Sequence, residues 1–111
     1  MTSYPDKLRV FYDSSEVGTA VVTERLPRKF FGRFVPGASF ESARVAFEEV
    51  VQCKAQAEGK FQIDDVAWNR WVELTREMTR RIALPELLVR VEAFELDEDW
   101  GVEVTFADTV E

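Results

Sequence analysis

The sequence predicts an α+β two-layer sandwich, with an antiparallel sheet of about five strands and two helices packed on one of its faces. Three observations carry this. Apolar residues alternate with a period of two over residues 8–35 and again over 87–106. Between these stretches, residues 40–58 and 66–83 repeat with a helical period. The change of period falls inside residues 30–40, which hold four of the nine phenylalanines and the Pro36-Gly37 break.

In chain order, Leu8–Tyr12 reads as a strand, β-branched and aromatic. Residues 13–18 supply turn chemistry, with Gly18 available for a positive φ. Thr19–Arg25 completes a hairpin, which Pro27 ends. Lys29–Val35 is a third strand with aromatics on both faces. Gly32 sits between bulky neighbours there and marks a bulge or a close backbone approach. Ser39 is placed to cap a first helix running to about Glu58, with Gly59 at its C-terminal end. The apolar stripe of that helix is Phe40, Ala43, Phe47, Val50, Val51 and Cys53 or Ala57. Phe61 and Ile63 tuck inward from the connection, and Asp64 or Asp65 caps a second helix from Val66 to about Ala83. Ala67, Trp71, Leu74, Met78 and Ile82 form its buried stripe, broadened by Val72, and Pro85 stops it. Leu87–Leu96 and Val102–Phe106 are the last two strands, joined by the acidic turn 97–101. The order is β-β-β-α-α-β-β, and two short-turn hairpins favour antiparallel pairing.

A chain of 111 residues is expected to form a single domain, 1–111, and to bury roughly two-thirds of its surface on folding. The N-terminal residues have no signal-peptide pattern, and no stretch is apolar enough to span a membrane, so a soluble cytoplasmic protein is expected. One cysteine and no histidine exclude a disulfide framework, Cys/His zinc sites and every Ser–His or Cys–His nucleophile. Cys53 lies near the apolar side of the first helix and reads as a structural thiol.

Net charge is −7, which disfavours nucleic-acid backbones and anionic membranes. The charge is uneven. Residues 86–111 hold nine acids and one base, whereas residues 25–33 hold four bases and no acid. The acidic pairs and triplets Asp64-Asp65 and Asp97-Glu98-Asp99 are explained by capping and by a solvated turn. Neither fits a calcium loop. The glycine-containing stretches around Gly32 and Gly37 form no phosphate loop.

No motif therefore assigns catalysis, a metal or a cofactor. The sequence reads as a non-enzymatic protein–protein interaction or regulatory module, whose partner is another protein or a second copy of the chain. The candidate binding residues are Arg28, Lys29, Arg33 and Phe34, where bases interleave with aromatics, and Trp68 and Trp100, which are hard to bury fully. Two other readings stand beside it. One is a carboxylate-based enzyme or a small-ligand or metal binder; the other is an acidic hairpin that imitates a nucleic-acid backbone.

Overall fold

The computed structural model describes residues 4–58 and 65–107. Six strands and two helices follow the predicted order: β1 Lys7–Tyr12, β2 Ser15–Leu26, β3 Lys29–Pro36, α1 Arg44–Ala57, α2 Asp65–Arg81, β4 Ile82–Ala83, β5 Val91–Leu96 and β6 Gly101–Phe106. The strands form one antiparallel sheet in the order β4-β1-β2-β3-β6-β5. The predicted α+β class with two helices against an antiparallel sheet is what the chain adopts, with a sixth, two-residue strand added.

The first hairpin turns at Asp13-Ser14, not at Gly18. Both residues have positive φ (50° and 71°), which suits a two-residue loop between twisted strands. Gly18 lies inside β2 and is needed for space: a Cβ there would run into the Val35 carbonyl and the Phe34 ring. Gly32 behaves as expected. A Cβ on it would overlap the Val21 carbonyl oxygen, and the β2–β3 register shifts beside it, between Val22 and Glu24.

The predicted capping role of Ser39 is not realised. Ser39 has φ −97° and ψ 12°, outside the extended region an N-cap needs, and its side chain makes no cap bond. Its carbonyl instead accepts from the Ser42 hydroxyl at 3.0 Å, within a 3₁₀ turn over Phe40–Ser42 that precedes α1. Asp65 is the first residue of α2. The expectations for Gly59, Phe61, Ile63 and Asp64 fall outside the described residues.

α2 ends at Arg81, two residues short of the predicted end. Ile82 and Ala83 leave it to pair with Tyr12 and Phe11 of β1. Likewise, Leu87–Arg90 is not strand. Residues 84–90 cross from β4 at one sheet edge to β5 at the other, and their one backbone bond to a strand end, Ala107 N–H to the Arg90 carbonyl at 2.8 Å, comes only where β5 begins. Leu84, Leu87 and Val89 are nevertheless buried, and their alternation reports burial, not strand pairing.

Phe30, Phe34, Phe94, Leu8, Val10, Val102 and Val104 line the inner face of the sheet. Phe47 of α1 packs onto it, with ring centroids 5.0 Å from Phe34 and 6.5 Å from Phe94. α2 covers the edge of β5. Its Trp71 indole N–H donates to the Leu96 carbonyl at 3.2 Å, and the Phe94 N–H donates to the Thr79 hydroxyl at 3.1 Å. Because the same helix runs directly into β4 at the opposite edge, the sheet is drawn round almost to a barrel. The β1 edge is also occupied: beyond β4, the Arg9 N–H donates to Glu86 Oε1 at 3.0 Å. Both edges are thus blunted against strand addition.

Candidate functional site

With the edges occupied and the inner face filled, the surface left open is the outer face of the sheet. Residues opposite one another in an antiparallel ladder share a face, so the register defines what this surface presents. Lys7, Val21 and Arg33 stand in one row across β1, β2 and β3. Arg9, Thr19 and Val35 form the row on one side. Phe31, Glu103 and Glu95 form the row on the other, running across β3, β6 and β5. Val35 is 48% exposed, and Val21 and Phe31 are partly exposed.

The charges on this face differ in how they are satisfied. Lys29 pairs with Glu103 at 3.1 Å, and Arg9 pairs with Glu86 at 3.1 Å. The side chains of Lys7 and Arg33 have no ionic partner among the described residues. Two unneutralised cations therefore flank Val21, with Phe31 and Val35 two residues to either side of Arg33 on the same strand face.

The six sequence-predicted residues do not form one patch. Arg33 is on the outer face, as is Lys29. Arg28 lies in the two-residue loop after β2 and bonds Glu92 at 3.4 Å. Phe34 points the opposite way and is 4% exposed, with its ring against Phe40, Phe47 and Trp100. Trp100 is half-buried in the β5–β6 turn, and Trp68 lies on α2 with its ring 5.3 Å from that of Trp71. Lys7, Val21, Phe31 and Val35 were not singled out from the sequence. The signal that finds them is the phase of the alternation: once Phe30 and Phe34 are taken as inward, Phe31, Arg33 and Val35 must face outward.

A second cluster was also missed. Lys54 is 8% exposed, although charged. Its Nζ lies 4.2 Å from the Trp71 ring centroid and 4.7 Å from that of Trp68, and it pairs with Glu58 at 3.1 Å. The indole faces and the carboxylate together replace the water lost on burial. Lys54 was not counted in the predicted stripe, yet it falls three or four residues after Val50 and Val51, so its burial could have been read from the helical period. Near it, burial pushes the carboxyls of Glu95 and Asp97 above their ordinary range. Glu103 reinforces the shift at Glu95, and Asp99, Glu58 and Glu103 reinforce it at Asp97, while Lys54 opposes it at both.

Among the described residues, no group of three or more carboxylate or thiol side chains has the geometry to hold a metal ion. Nor is any described helix long and apolar enough to cross a membrane. The structure therefore defines the chain as an α+β protein with a nearly closed antiparallel sheet. No family model matches it, and no curated protein or solved structure matches it.

Proposed function

We propose that this chain is a non-enzymatic interaction module that docks an acidic, partly apolar surface of another protein on the outer face of β1–β2–β3. The observation that carries the reading is the Lys7–Val21–Arg33 row, whose two cations have no ionic partner among the described residues and are set among Val21, Phe31 and Val35. In a chain of net charge −7, cations not held in an ion pair are the groups that a partner's carboxylates would pair with most favourably. Arg beside exposed aromatic and aliphatic side chains is also the usual make-up of an interface hot spot. Three strands span about 10 Å between the outer two, by about 20 Å along their length. The blunted edges argue against partner binding by strand addition.

The test uses a photoreactive p-benzoylphenylalanine at position 35 in the full chain, irradiated in native lysate. A control carries it at position 45, since Val45 is 78% exposed on α1. The reading expects a discrete adduct from position 35 only, abolished by combining Lys7→Glu with Arg33→Glu. An adduct of twice the chain mass would identify a second copy as the occupant and overturn the hetero-partner reading. Adducts indifferent to the charge reversals, or equal at positions 35 and 45, would overturn docking at this face.

A further inference from the structure

A different part of the molecule carries a ligand-binding inference, independent of the outer-face reading. Between α2 and β5 runs a groove of about 410 Å³. This is within the range of small-molecule sites. The helical repeat sets Val72, Thr75, Arg76 and Thr79 along one wall, and Ala93 and Glu95 belong to the other. The walls are held at a fixed separation, because Thr79 and Trp71 each hydrogen-bond the β5 backbone.

The charges in this groove are unevenly satisfied. Glu92 is engaged by Arg28 and Arg90, and Arg80 by Glu77. Arg76, on the helix wall, has no ionic or hydrogen-bond partner among the described residues, and neither does the Glu95 carboxylate on the strand wall. They do not pair with each other, although they line the same groove. What remains is an unpaired cation on one wall and, on the other, a half-buried carboxylate without a direct partner, which Lys54 and Lys29 favour only at longer range. Beside Arg76, the Thr75 hydroxyl is buried, in a residue 8% exposed, and has no hydrogen-bond partner. That oxygen is closed off from the groove, so it offers no contact to a ligand lying there. Trp71, Val72 and Ala93 make the rest of the lining apolar.

We propose that this groove binds a zwitterionic small molecule, an α-amino acid with an apolar side chain. Its carboxylate meets Arg76, its ammonium meets Glu95, and its side chain lies on Val72 and Ala93. A simple anion would leave Glu95 facing like charge, and a simple cation would do the same to Arg76. Only a ligand carrying both charges satisfies both walls.

The test is a ¹H–¹⁵N NMR titration of the full chain with L-phenylalanine and, separately, L-leucine. The expected result is saturable shifts confined to residues of α2 and β5. N-acetyl-L-phenylalanine, which lacks the ammonium, and L-phenylalaninamide, which lacks the carboxylate, should each bind about tenfold more weakly. Arg76→Met and Glu95→Gln should weaken the free amino acid by a similar factor, and both sites are accessible enough for the variants to keep a dispersed spectrum. The proposal is overturned if neither amino acid gives saturable shifts in the groove. It is equally overturned if the two blocked derivatives bind as tightly as free phenylalanine, a comparison that needs no variant to fold.

Discussion

The backbone N–H of Phe34 donates to the carbonyl of Trp100 at 2.9 Å, while the two rings stack with centroids 6.0 Å apart and planes 28° from parallel. The β5–β6 turn is thus tied to β3 by main chain and side chain at once. The turn closes with Trp100 N–H donating to Asp97 and Asp97 N–H donating to Gly101, which leaves Trp100 at φ 66°. That position of a short hairpin loop normally takes glycine. A left-handed conformation at a residue with a Cβ is unfavourable by about 1–2 kcal/mol. The ring contacts to Phe34 and Phe40, at about 0.5–1.5 kcal/mol each beyond their burial, hold it there.

Comparing two truncations of Trp100 separates these effects. Trp100→Ala loses the ring and keeps the strain, whereas Trp100→Gly loses both. Both should unfold at lower denaturant than the parent, but Trp100→Gly should be the more stable of the two by about 1 kcal/mol. Equal stabilities, or an advantage for alanine, would show that the turn relaxes when the ring is removed.

Phe34→Ala addresses the residue's place in the core. The ring is 4% exposed and touches three other aromatic rings, so truncation should destabilise by about 3–5 kcal/mol in urea unfolding. A loss below 1 kcal/mol would mean the site collapses around the missing ring or that the ring is not packed as described.

Phe34 also shows how far the fold could be read from the sequence. The alternation at Phe30–Val35 was visible, and so was the change of period at Pro36-Gly37. Which of two aromatic faces is inward was not, because both satisfy a period of two; tertiary packing against Phe47 decides it. Part of the seven-residue crossing at 84–90 reads as strand in the sequence because Leu87 and Val89 alternate, and alternation reports burial whether or not a neighbouring strand exists. β4 was invisible for a related reason. Two residues at the end of a helical pattern carry no period of their own, and only the β1 edge recruits them. The outer-face row needed the register, which two bulges shift. The α2–β5 groove needed the packing of an edge strand under a helix, a relationship between elements far apart in order.

Glycine substitutions test the close approaches. At Gly32 a Cβ would overlap the carbonyl oxygen of Val21, a backbone atom that cannot swing away. Gly32→Ala should therefore destabilise by about 3 kcal/mol or more, as overpacking does. At Gly37 the nearest atom to a Cβ is the Gly18 Cα at 3.4 Å, an ordinary contact. Gly37→Ala should change stability by less than about 1 kcal/mol and is the matched control, since both lose the same unfolded-state freedom. Thermal unfolding of the two variants side by side decides it, and similar losses at both positions would remove the steric argument.

Acid and neutral stability should respond in opposite directions to two groups of carboxylates. Burial alone would raise the carboxyl of Glu86, but the Arg9 backbone N–H and guanidinium outweigh it and hold the group below its ordinary range. A depressed carboxyl favours the folded state above its unfolded value, and that contribution is lost as pH falls through the folded one. Glu86→Gln should therefore lower Tm at neutral pH and have little effect in strong acid. Glu95 and Asp97 are shifted up, first by burial and then by neighbouring acids, so the folded state holds their protons more tightly than the unfolded chain does. Their contribution is complete below the ordinary carboxyl range and fades as pH rises through the raised values. Glu95→Gln and Asp97→Asn should raise Tm at neutral pH and leave it nearly unchanged in acid. Lys54 opposes both upward shifts, so Lys54→Met should push both carboxyls higher still and make the loss of stability toward neutral pH steeper. Tm measured for the four variants across the acid-to-neutral range checks each sign, and a Tm for Glu95→Gln that falls at neutral pH would mean that its carboxylate is stabilised, not strained, in the folded protein.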